Sequence, residues 1–250
     1  MKIIRAIDYD DMSKKAAHII LQDIISQPDL VLGLATGSSP IGAYKVLVNM
    51  YRTGGVDFSQ VTTVNLDEYK GLSREDKNSY YYFMKENLFS HTNIKAENTH
   101  IPDGMALDDD DECKRYNKVI KSLGGVDLQL LGLGHNGHIA FNEPEDVFAK
   151  ESHLVSLTQS TINANSRLFI DPKDVPRYAF TMGVDSILKA RKIVMVVSGV
   201  GKANILRKAF FGEVTPRVPA SILQVHQDFT LIADEDALSK VEEELLNERC

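Results

Sequence analysis

At 250 residues, with 43% hydrophobic and 25% charged side chains, the chain is long enough to bury one large core, and this balance excludes a disordered or fibrous polymer. A formal net charge of −7 argues against broad electrostatic binding to nucleic acid or to an anionic membrane, so an anionic ligand has to meet a local basic pocket. The cysteines, Cys113 and Cys250, give neither a disulfide framework nor a metal-ligand spacing and are expected to be free thiols, while no apolar run approaches a bilayer span, which makes the cytoplasm the default location.

Along the chain, short β-type apolar runs alternate with helical periodicity. That is the pattern of an α/β fold built on a single doubly wound, mostly parallel sheet with helices on both faces. Strands are expected at residues 2–5, 30–34, 61–66, 127–131, 178–182, 193–197 and 229–233. The first helix is expected over 9–26, capped by Asp8, with Met12, Ala16, Ile20 and Ile24 stacked on one face. Pro40 suits the first turn of a second helix, and Gly54 and Gly55 suit its end. The acidic run 108–111 opens a helical pattern that ends near Leu123, where the helix dipole accounts for four carboxylates without chemistry. With no internal repeat and no proline-rich linker, one domain over residues 1–250 is expected.

Polar motifs follow several of these strands. Residues 34–40, LATGSSP, end a strand in a small-residue turn before a proline-started helix. Such a turn offers backbone N–H groups of Thr36, Gly37, Ser38 and Ser39, three hydroxyls and a helix dipole to a phosphate, although an ordinary capped turn reads the same way. It is not a Walker loop, because no Gly-Lys-Ser/Thr follows. In VNLDEYKG, residues 64–71, the adjacent Asp67 and Glu68 can split their roles, one facing a crevice as a general base and the other structural; a surface acid is the competing reading. In SGVGKAN, residues 198–204, Lys202 falls in the first turn of a helix, where a cation is disfavoured unless an anion is to be met. Arg167, in NANSRLF, is the other candidate phosphate clamp.

Residues 132–144, GLGHNGHIAFNEP, are the most informative stretch, because two histidines, two asparagines and a glutamate directly follow the apolar run VDLQLL. Gly132, Gly134 and Gly137 satisfy G-x-G-x-x-G, but a dinucleotide site needs a long helix from the third glycine and Pro144 interrupts it. A Rossmann-like fold without a dinucleotide site is therefore expected. Zinc binding by His135, His138 and Glu143 is also disfavoured, since glycine-broken loop does not supply the helix face that such spacing uses.

Taken in order, LATGSSP, VNLDEYKGL, NSYYYFM, GLGHNGHIAFNEP, NSRLF and SGVGKAN resemble the glucosamine-6-phosphate deaminase family of glucosamine/galactosamine-6-phosphate isomerases, over roughly residues 1–235. Residues 138–144 are the most specific part. The sister 6-phosphogluconolactonase family shares the fold but continues after its histidine with a Thr-Ala-Ser-Leu-Phe-Pro type of sequence, not IAFNEP. The resemblance implies an enzyme of amino-sugar catabolism, a cofactor-independent hydrolase of a C–N bond, that turns glucosamine 6-phosphate and water into fructose 6-phosphate and ammonia. It implies no metal and no organic cofactor. It implies Asp67 as the base that moves a proton between C2 and C1, His138 as the ring-opening group with Glu143 as its partner, and Thr36, Gly37, Ser38, Ser39, Arg167 and Lys202 as the phosphate-binding set. Asn136 departs from the aspartate that many members have; it is expected to orient His138 by hydrogen bonding but cannot take a proton. His153 and Val155 replace an arginine and a lysine of the hexameric, N-acetylglucosamine 6-phosphate-activated branch, so a monomer without that allosteric site is expected. The competing readings are a 6-phosphogluconolactonase-like hydrolase and a non-catalytic sugar-phosphate sensing domain.

Overall fold

Local capping starts the helices where the sequence places them. After β1 (Lys2–Ala6), Asp8 lies in extended backbone and accepts the Asp11 N–H at 2.8 Å, opening α1 (Tyr9–Ser26) with Met12, Ala16, Ile20 and Ile24 buried along one face. The computed structural model describes residues 1–166, 169, 171 and 174–243. Next come β2 (Val31–Leu34), α2 (Ile41–Arg52) with Pro40 at its N-cap, β3 (Thr62–Asn65), β4 (Asp67–Tyr69), α3 (Tyr80–Asn87) and β5 (Thr99–His100). Asp108 accepts the Asp111 N–H at 2.9 Å and caps α4 (Asp109–Ser122), while Asp109 pairs with Lys70, so the acidic run is spent on the helix end and an ion pair. The chain continues through β6 (Leu128–Gly132), β7 (His153–Ser156), α5 (Gln159–Asn165), β8 (Tyr178–Thr181), α6 (Val184–Leu188), β9 (Lys192–Val197), α7 (Ala203–Phe211), β10 (Phe229–Asp234) and α8 (Glu235–Leu238).

Seven strands form one sheet in the order β1-β10-β9-β6-β2-β3-β5, and each neighbouring pair is parallel. Leu32, Leu34, Leu128, Leu130 and Val194 pack on one face against Ile20 of α1, Leu47 of α2 and Met84 of α3. Val31, Leu131, Ile193, Met195 and Leu231 pack on the other against Tyr116 of α4, Ile187 of α6, Leu206 and Phe210 of α7 and Leu238 of α8. Burial on both faces is why the central strands β2 (VLGL) and β9 (KIVMVV) read as nearly uninterrupted apolar runs. Connections run outward from β2 through β3 to β5, then from β6 through β9 to β10, so the winding reverses between β2 and β6. An open α/β sheet holds its ligand at that reversal, beyond the carboxyl ends of the strands.

The doubly wound parallel sheet is present, with one addition: a second, three-stranded antiparallel sheet in the order β4-β8-β7. The expected strand at 178–182 belongs to this small sheet, and the seventh place in the main sheet is taken by the two-residue β5. Among the described residues no helix is long and apolar enough to cross a membrane.

Candidate active site

A cavity of about 400 Å³ opens at the β2/β6 reversal. Its wall is built from Thr36, Gly37, Ser38 and Ser39 after β2, Leu66 and Asp67 where β3 passes into β4, and residues 132–136, 138, 140 and 141 from the end of β6 onward. Tyr80 of α3, Ser160, Thr161 and Asn165 of α5, and Lys202 after β9 complete it. Asn136, His138, Thr36, Gly37, Ser38, Ser39 and Lys202 therefore share one cavity with Asp67. Arg167 lies outside the described residues. Tyr80 and Thr161 were not singled out by the sequence.

The adjacent carboxylates of β4 divide as their alternating strand positions require. Asp67, 6% exposed, borders the cavity. Glu68 instead accepts the backbone N–H groups of Tyr69, Tyr80 and Tyr81 at 2.8, 2.9 and 3.0 Å and, with Ser79, which accepts the Tyr82 N–H at 3.1 Å, closes the N-terminus of α3. Burial, with the Glu68 charge beside it, holds the Asp67 carboxyl well above the ordinary carboxylate range. Burial also pushes Glu68 up to about 7, against the pull of its three N–H donors. The helix that Glu68 closes delivers Tyr80, whose ring stacks on Phe141 at 5.9 Å and 13° and sits 4.8 Å from the ring of Tyr69.

After β6 the chain turns tightly instead of starting a helix. The Gly134 N–H donates to the His138 carbonyl at 3.0 Å and the Gly137 N–H to the Gly134 carbonyl at 3.1 Å, with Gly137 at φ +89°. A Cβ on Gly134 would lie 2.3 Å from His138 Nε2. Gly134 makes room for the imidazole and Gly137 takes the positive φ of the turn, so both glycines have a structural role without a nucleotide.

Glu143, 5% exposed, is the hub behind that imidazole. Its Oε2 lies 3.5 Å from His138 Nδ1, an ion-pair distance too long for a strong hydrogen bond, and accepts from Asn136 Nδ2 at 2.5 Å. Its Oε1 accepts from the Thr161 hydroxyl at 2.5 Å. Burial pushes the Glu143 carboxyl up, but the neighbouring His138 imidazole, with the Thr161 and Asn136 donors, outweighs that and holds it below the ordinary glutamate value. The amide of Asn136 reaches the backbone N–H of His138, which donates to Oδ1 at 3.1 Å, and the carboxylate of Glu143. It thus fixes the loop and the carboxylate, where orientation of the histidine ring had been expected.

Lys202 ends the 3-10 turn Val200–Lys202 that leads into α7, and its Nζ donates to the Leu133 carbonyl at 2.6 Å, tying the β9 loop to the β6 loop at the cavity wall. The start of the β9 loop is pinned in turn by Asp234, which accepts the Ser198 hydroxyl at 2.5 Å and the Gly199 N–H at 3.0 Å.

Fold and site together define an α/β enzyme cavity at the switch point of an open sheet, where a buried carboxylate, a histidine with a glutamate behind it and a hydroxyl-rich loop come together. The chain matches the family model described as glucosamine-6-phosphate isomerases/6-phosphogluconolactonase over residues 8–232, and it belongs to that family. It is 56% identical to a glucosamine-6-phosphate deaminase of Lachnoclostridium phytofermentans, over 93% of this chain and 98% of the relative. It is 52% identical to one of Clostridioides difficile, over 96% and 97%. A solved structure described as a monomeric glucosamine-6-phosphate deaminase superposes with a TM-score of 0.94 at 43% identity, covering 96% of this chain and all of that one. The 6-phosphogluconolactonase of Trypanosoma brucei, at 18% identity and a TM-score of 0.74 over 96% and 98%, shares the fold alone.

Proposed function

We propose that this cavity converts glucosamine 6-phosphate and water to fructose 6-phosphate and ammonia, in a single-domain cytoplasmic enzyme of amino-sugar catabolism. The observation that carries the reading is the buried Asp67 carboxylate, made more basic by its surroundings, in one cavity with His138 and with Glu143 behind it. The phosphate is taken by the loop of Thr36, Gly37, Ser38 and Ser39 with Lys202, and by Arg167 as the family resemblance implies. Phosphate binding remote from the reacting carbons supplies the positioning energy. His138, with Glu143 as partner, moves the proton that opens the pyranose ring. Asp67 then takes the proton from C2 of the open chain and returns one to C1, leaving an imine at C2 that water hydrolyses to the ketose with loss of ammonia. Relatives named glucosamine-6-phosphate deaminase at 52–56% identity support this reaction over lactone hydrolysis.

The chain acts as a monomer without activation by N-acetylglucosamine 6-phosphate. Support comes from the similarity to the monomeric deaminase and from His153 and Val155 on β7, where the resemblance places basic residues in the regulated branch. To test the function, purified protein is given glucosamine 6-phosphate and, separately, 6-phosphogluconolactone. Ammonia and fructose 6-phosphate in equal amounts from the first are expected. Turnover of the lactone alone, or binding of the sugar phosphate without turnover, would overturn the proposal.

A further inference from the structure

Two tyrosine hydroxyls that do not line the cavity grip its phosphate loop from behind. Tyr44 of α2, fully buried, donates to the Ala35 carbonyl at 2.6 Å and accepts the Ala35 N–H at 3.2 Å, fixing the loop where it leaves β2. Tyr9, the first residue of α1, donates to the Ser38 carbonyl at 2.9 Å and accepts the Gly42 N–H at 2.8 Å, fixing it where it enters α2. Tyr9 reaches that far because α1 and α2 cross closely: a Cβ on Gly42 would lie 2.2 Å from Ser13 Oγ and 3.0 Å from Tyr9 Cε1. Between the two clamps, and among the described residues, the backbone N–H groups of Gly37, Ser38 and Ser39 donate no hydrogen bond. Donors left unspent on a loop held at both ends are ready for an anion, and an ordered loop loses little entropy on binding one.

We propose that Tyr9 is a positioning residue for the substrate's phosphate: its hydroxyl holds the Ser38 carbonyl and the Gly42 N–H so that the donors of the loop meet the phosphate already in place. The inference rests on the reading that this loop binds phosphate. Tyr9 acts on binding and not on chemistry, because its hydroxyl bonds to Ser38 and Gly42 and it does not line the cavity that holds Asp67 and His138.

Tyr9→Phe keeps the ring and removes only the hydroxyl, whereas Tyr44→Phe would strand both backbone groups of Ala35 in the core and is the poorer test. In Tyr9→Phe, KM for glucosamine 6-phosphate is expected to rise about three- to tenfold with kcat held within about twofold. The dissociation constant of inorganic phosphate, measured by calorimetry, is expected to rise by the same factor. The melting temperature without phosphate should barely move, and amide hydrogen exchange over residues 36–42 should quicken. Unchanged phosphate affinity in Tyr9→Phe, with or without a fall in kcat, overturns the role of Tyr9 and leaves the reaction standing. Because the phosphate titration does not depend on turnover, weakened phosphate binding in a chain that proves unable to release ammonia supports the clamp while the reaction fails.

Discussion

Asp67 and Glu68 are buried side by side, and among the described residues neither makes a salt bridge. Both carboxyls are raised above their unfolded values, so the stability they contribute is fully present below about pH 4 and is lost as pH rises through the folded values, about 7 for Glu68. Asp67→Asn removes one of the two buried charges and is expected to raise the melting temperature more at pH 8 than at pH 5; a lower melting temperature at pH 8 would contradict this sign. Glu143 is the opposite case, a carboxyl held low by its donors. Thr161→Val deletes one donor, and Asn136→Asp sets a second carboxylate against Oε2, so both are expected to raise Glu143 and move the acid limb of kcat to higher pH. An unmoved limb in a pH–rate profile would show that these contacts do not govern the step. Asp67, His138 and Glu143 are legible in sequence because each sits in a dense polar motif after an apolar strand. Thr161 is not, because only the folded chain brings α5 onto Glu143 across irregular loop. Tyr80 is hidden among three consecutive tyrosines whose directions depend on how Glu68 closes α3.

At the scale of elements, the reversal between β2 and β6 depends on a close fit. Gly33 of β2 lies in register with the fully buried Gln129 of β6, and a Cβ on Gly33 would come within 2.1 Å of Gln129 Oε1. Gly33→Ala is expected to cost about 1–3 kcal/mol in denaturant melts through overpacking. Gln129→Ala in the same chain should recover part of that loss, whereas strictly additive effects would place the strain elsewhere. Six of the seven main-sheet strands are legible, the central ones because strands buried on both faces read as apolar runs. The two residues of β5 are too few to set a period, and β4 (DEY) and β7 (HLVS) are short and partly polar, so they read as loop. The run YAFT of β8 marks a strand but cannot say which sheet it joins.

For the whole molecule, a net charge of −7 makes the loop proposed to bind phosphate a local exception, as the composition requires of any anion site in this chain. Gel filtration is expected to give a monomer, with hyperbolic kinetics that N-acetylglucosamine 6-phosphate leaves unchanged. A sigmoidal curve that this compound makes hyperbolic would overturn that expectation. In the proposed function Asp67, at the switch point of the sheet, is the base for the reacting carbons of a sugar phosphate. The most direct measurement is ammonia release from glucosamine 6-phosphate by the wild type and by Asp67→Asn, with phosphate affinity measured on both. The expected result is equal phosphate affinity and a kcat lower by about 100- to 10,000-fold in the variant; a variant that releases ammonia at the wild-type rate would show that Asp67 is not the base.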